Sequence, residues 1–274
     1  MSQLSAQVRD PLHSLWLTLL LASTPLAVIL AFTYDYPKEW CAVGNSYAFS
    51  TAFLGLYLSP LLSPFVTGNP TWKNRLALST ENWILYLTCF TELIQIVHSL
   101  SPQTLHTYLD QPHEWAFYSY SLSDSRWRDY TPDRGQTFTL PFEVNLINWN
   151  DGLLGIICIT LWAWSRAKPS HESHYSLVLA VLFRDATLWR ETVEYLWQHH
   201  RGGYAYTTSD PLLRPHAIYL LWGINGLWLI APLLSCVWAW HEIMSDRGAA
   251  VGSASIRRTT RKEKEIREYT RKRD

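Results

Sequence analysis

Six stretches of the chain are apolar for long enough to cross a bilayer, and polar linkers separate them. A spanning helix needs about 20 mostly apolar residues, and formal charge within it is costly. Leu12–Tyr34 and Asn45–Val66 hold no formal charge, although Pro60 and Pro64 predict a kink or a stop near the end of the second. Trp83–Leu100, Phe138–Ser165, Tyr175–Trp197 and Ala217–Trp240 follow. The pattern predicts an all-α, polytopic transmembrane helix bundle. The first stretch also has the length of a secretory signal, but its flank holds one Arg and one Asp and no clear small-residue cleavage site follows. It is therefore read as a span.

Composition agrees with that reading once its distribution is considered. Charged residues make up 17% of the chain, against roughly 25% in soluble domains. The mean hydropathy of -0.07 is an average that polar loops and a charged tail dilute. The formal net charge of zero is likewise uneven, because ten Lys/Arg and four acids lie between Arg247 and Asp274. Cytoplasmic loops of membrane proteins carry the excess of Lys and Arg. The tail, Lys73/Arg75 and Arg166/Lys168 then share the cytoplasmic side, and the loop Ser101–Thr137, with five acids against three Arg, faces the lumen. The terminal RKRD is loosely like a dibasic retrieval signal, and the expected location is the endoplasmic reticulum membrane. Cys41, Cys89, Cys158 and Cys236 lie far apart, with no disulfide framework or metal spacing. HESH at His171–His174 lacks the two-residue gap of a zinc-binding HExxH and reads as a solvated turn. No metal, cofactor or nucleic-acid partner is expected.

Polar groups inside spans mark functional candidates. Thr88, Glu92, Gln95 and Ser99 recur as one helical stripe, and Glu143 shares a face with Asn150. The fifth segment, VLFRDATLWRETVEYLW, places Arg184, Arg190, Glu191 and Glu194 within about a third of the helix circumference. Arg190–Glu194 would pair at i,i+4, and Asp185 lies off that arc and needs another partner. In NGLWLIAP, Asn225 stands one turn before Trp228. Glu92, Glu191 and Asn225 each fall roughly 12 Å from the lumenal end of their helix, with Glu143 somewhat nearer. Four helices thus offer polar groups to one layer, which implies either a shared pocket or a hydrogen-bond network tying the bundle together.

Four of these motifs together resemble one family. NGLWLIAP resembles the last-helix Asn-Ala-Leu-Trp…Pro signature of the emopamil-binding protein family, the sterol Δ8–Δ7 isomerases. FTLPFE (Phe138–Glu143) resembles the segment bearing that family's catalytic glutamate, SDSRW (Ser123–Trp127) its Gly-Asp-Ser-Arg-Tyr loop, and HHRGGY (His199–Tyr204) its Glu-His-Arg-Asp-Gly-Phe. Order and spacing agree from about Trp83 to Glu242. The resemblance implies five to six spans around a lipid-sized cavity, divided as an additional helix and lumenal loop (1–44), a helical bundle (45–242, with lumenal loop 101–137) and a basic cytoplasmic tail (243–274). The departures are specific. Glu92 and Ile96 stand where the family has His and Glu, Leu146 replaces a threonine, and Glu191-Thr192 replaces Gly-Asp.

The chemistry that such a cavity supports is protonation of an alkene, stabilisation of the resulting carbocation and final deprotonation. A carboxyl in an apolar pocket suits the acid role. Glu143, Glu92 and Asn225 are the catalytic candidates. Trp228, Glu191, Glu194, Asp185, Gln95 and Asp124 are candidates for binding substrate, with the Trp228 ring face available to a cation. The expected partner is a hydrophobic small molecule, a sterol or terpenoid, within membrane lipid. Isomerase, terpenoid cyclase and non-catalytic lipid binder all remain open at this level.

Overall fold

The computed structural model describes residues 10–64, 71–100, 109–112, 115–124, 142–202 and 211–245. All elements among these residues are helices. They are α1 (Pro11–Thr33), α2 (Lys38–Leu62), α3 (Trp72–Asn82), α4 (Leu93–Leu100), α5 (Trp115–Ser123), α6 (Phe142–Ala167), α7 (His171–Gly202), α8 (Arg214–Tyr219) and α9 (225–245). Two π-helical stretches interrupt this series: Trp83–Glu92 joins α3 to α4, and Leu220–Ile224 joins α8 to α9. Three helices, Pro11–Thr33, Leu146–Ala167 and Arg214–Ser245, are long and apolar enough to cross a membrane.

Local chemistry sets the helix ends. Asp10 caps α1 by accepting the Leu12 N–H at 2.9 Å, and Pro11 occupies the first turn, where its missing donor is harmless. The helix α2 stops at Leu62, short of the expected Val66, with Pro64 two residues on. Its last carbonyls would be orphaned. Arg75 from α3 reaches across to accept that task, donating to the Pro60 and Ser63 oxygens at 3.0 and 2.9 Å. The third apolar segment is part of a longer rod that begins at Trp72 rather than Trp83. The fifth is longer too, with 32 residues in α7.

Packing is inverted relative to a water-soluble bundle. Only 22% of the apolar window of α1 is buried, although its mean hydropathy is 2.2. Leu15, Leu26 and Ile29 of α1, Ile156 and Ile157 of α6, and Ile230, Leu233 and Val237 of α9 are exposed. Apolar exteriors of this kind suit a non-aqueous surrounding, and the three long apolar helices suggest a membrane protein. Inside, Leu20, Phe53, Tyr57, Trp83, Leu188 and Leu227 form one core that ties α1, α2, the first π stretch, α7 and α9 together. Close approach is achieved with glycine. A Cβ on Gly55 would stand 2.2 Å from the Trp16 ring, so α1 lies against α2 with nothing between.

Candidate functional site

A cavity of about 560 Å³ opens between the helices. Two walls enclose it. One, from α1, α2, the second π stretch and α9, carries Leu20, Leu21, Phe49, Phe53, Ile224 and Trp228 together with the polar Thr24, Asn45, Ser46, Ser50 and Asn225. Trp228 is held edge-on to Trp83 at 5.6 Å and roughly parallel to Phe53 at 6.1 Å. The other wall, from Thr91 and Gln95, α6 and α7, carries Asn148, Asp151, Glu191 and Thr192.

The polar wall is short of partners. Thr91 Oγ1, Gln95 Oε1, Asn148 Nδ2, Asp151 Oδ1 and Glu191 Oε2 are buried and find no hydrogen bond among the described residues. A buried polar atom left without a partner costs about 1–3 kcal/mol, so such atoms in a cavity lining call for an explanation. Asn150 donates to Glu191 Oε1 at 2.7 Å and fixes that side chain. The Asp151 and Glu191 carboxyls lie within hydrogen-bonding reach of each other. A carboxylate only accepts, so a hydrogen bond between these two groups exists only when one of them carries a proton. The arrangement is a protonatable pair, contributed by two helices, beside an oily chamber.

Four residues singled out in the sequence come together here: Gln95, Glu191, Asn225 and Trp228 all line the cavity. Asn225 spends one amide hydrogen on its own helix, donating to the Leu221 carbonyl at 2.6 Å within the second π stretch. Glu143 lies on the first turn of α6, and its side chain falls outside the described residues. The motif residues 125–127, 138–141 and 203–204 lie outside them as well.

The remaining candidates stand elsewhere. Glu92 does not line the cavity. It is buried behind the polar wall, accepts from Thr88 Oγ1 at 2.8 Å and faces Arg184 Nη1 at 3.9 Å. The stripe read from the sequence is therefore split: Glu92, which accepts from Thr88, turns toward Arg184 of α7, while Gln95 lines the chamber and Ser99 does not. Asp185 is bound by its chain neighbour, with Arg184 Nε at 2.8 Å and Trp83 Nε1 at 3.3 Å on the same oxygen. A long guanidinium folds back over one residue, which helical-wheel angles do not register. Arg190 meets Glu191 at 3.7 Å instead of Glu194, and Glu194 is exposed and accepts from Gln198 at 3.3 Å. Asp124 is fully buried and bonded to His199 Nδ1 at 3.1 Å, away from the cavity lining.

Asp151 was not among the sequence candidates. The signal was present, since an acid in the middle of an apolar span is itself a functional marker. No group of three or more His, Cys, Asp or Glu residues able to hold a metal occurs among the described residues.

Glycines let the two polar layers touch. A Cβ on Gly155 would fall 1.8 Å from Glu92 Oε2, and one on Gly152 would fall 2.2 Å from Ile96. Gly155→Ala is expected to cost about 1–3 kcal/mol through overpacking. Thermal unfolding in detergent checks this, and an unchanged midpoint would show that the helices slide apart freely.

Comparison of the chain with family models, with curated proteins and with solved structures finds no match.

Proposed function

We propose that the chain is an integral-membrane isomerase or cyclase of the endoplasmic reticulum, acting on a terpenoid or sterol alkene. The resemblance to the emopamil-binding protein family supports the reaction class. The single observation that carries it is two carboxyls, Asp151 and Glu191, each with one buried oxygen unpartnered among the described residues, lining a chamber of about 560 Å³ that Phe49, Phe53 and Trp228 also line. Pockets for small molecules span roughly 300–1,000 Å³. In this reading the helices form five to six spans, and the basic tail is cytoplasmic.

The reaction needs no cofactor to balance. A proton passes from the Asp151–Glu191 pair to one alkene carbon, a C–H bond forms, and the adjacent carbon becomes cationic. The Trp228 face attracts that charge across the chamber. In an isomerisation, a neighbouring C–H bond then returns its proton to the carboxylate and the double bond re-forms one position away. In a cyclisation, a second alkene attacks the cation before the proton is lost. Asn225 and Gln95 orient an oxygen on the substrate. The unpaired acceptors and the Asn148 donor favour a substrate with a polar end over a pure hydrocarbon. Glu143, which the resemblance assigns as catalytic, belongs in the same set of variants.

Microsomes containing the chain, incubated with a Δ8-sterol and with farnesylated or epoxidised terpenoids, test the reading. Products of unchanged mass and altered retention are expected for one substrate class. Saturable retention of a substrate without product would make the protein a non-catalytic lipid binder of the same build. Neither product nor retention would remove the proposal.

A further inference from the structure

A second cleft, of about 230 Å³, opens where α3, α6, α7 and α9 end or begin together. Its chemistry is unrelated to the chamber above. Glu81 lines it and is already neutralised within the wall, accepting from Trp162 Nε1 at 2.9 Å and pairing with Arg166. Two further groups are not satisfied. The Trp238 indole N–H and the Thr80 hydroxyl are buried, 6% and 1% exposed by residue, and neither has a partner among the described residues. An indole nitrogen can only donate, so whatever completes Trp238 must accept. At the rim stand Arg166 and His174, with 43% and 47% of their side chains exposed. Arg166 has five N–H donors and does not exhaust them on one Glu81 oxygen.

Location narrows the ligand. Trp162 and Trp238 lie in the closing turns of two helices that are long and apolar enough to cross a membrane. Tryptophan is enriched at that depth, where headgroups meet hydrocarbon. Ile84 and Leu177, both buried, give the cleft an apolar part of its lining. A lining that combines donors with hydrocarbon matches a phosphate ester attached to an acyl chain.

We propose that this cleft binds the phosphate of an anionic membrane lipid, with Trp238 and Thr80 donating to its oxygens and Arg166 balancing its charge. The full-length chain in neutral detergent is titrated with short-chain phosphatidic acid, with phosphatidylcholine and with inorganic phosphate, reading tryptophan fluorescence and the unfolding midpoint. Phosphatidic acid is expected to shift both saturably, and phosphatidylcholine is not. Trp238→Phe removes the indole N–H but leaves an aromatic side chain, and Thr80→Val keeps the shape; each should weaken that binding about fivefold, the loss of one hydrogen bond. The lipid-free midpoint of Thr80→Val should stay at the wild-type value, since its hydroxyl has no partner among the described residues; Trp238→Phe also trims a core side chain and should lower its own midpoint. A response to inorganic phosphate equal to that of the lipid would assign the site to a soluble phosphate and overturn the lipid source. Equal responses to both lipids, or unchanged binding in both variants, would overturn the site itself.

Discussion

Asp151→Asn is expected to lower turnover by about 10²–10⁴-fold, the range for loss of a general acid or base, with the unfolding midpoint held near wild type. The amide occupies the volume of the carboxyl and can still donate toward Glu191, so the bond between α6 and α7 survives. What disappears is a proton that can leave. Glu191→Gln should behave alike, because its oxygen can keep the Asn150 contact of 2.7 Å while its nitrogen turns to Asp151. Both measurements belong on one preparation: product formation by chromatography and thermal unfolding by intrinsic fluorescence. Full turnover in both variants would exclude the pair from the chemistry, whatever the chamber binds.

Arg184→Met should produce the largest loss of stability. The guanidinium is 1% exposed and stands between two acids, Glu92 and Asp185, that are 1% and 0% exposed. Removing it leaves both carboxyls buried without a cation, which costs about 3–5 kcal/mol for a single broken pair. The expected readout is a collapse in detergent-soluble yield and a lower unfolding midpoint. Adding Glu92→Gln should recover part of the loss, since a glutamine oxygen still accepts the Thr88 hydroxyl and no charge remains at that site. Because the three groups touch, the double variant will not equal the sum of the singles. A midpoint unaffected by Arg184→Met would mean that water or another cation reaches the cluster.

The apolar runs locate every long helix, and their polar interruptions point to the chamber through Gln95, Glu191, Asn225 and Trp228. Those features are local in sequence, so periodicity reports them. Pairings between segments are another matter. His199 completes Asp124 across 75 positions, and Arg184 selects Asp185 and Glu92 over the Arg190 side of its own helix. Nothing in a linear pattern ranks such partners. Asp151 was legible in kind but not in place: a lone acid beside Asn150 becomes meaningful only when Glu191 arrives from α7. The helix ends were hardest, because Arg75, thirteen residues beyond Leu62, closes α2.

The widened turns at Trp83–Glu92 carry a genetic corollary. An i→i+5 stretch accommodates residues that an ordinary α-helix would not, and each residue in a helix corresponds to about 100° of rotation. Loss of one codon there, with the upstream rod fixed, would move Glu92 into the slot of Thr91 and Ile96 into that of Gln95. A third acid would then enter the chamber, its arginine contact would be forfeited, and one neutral acceptor would leave. The register of this rod therefore decides which of its side chains the chamber receives.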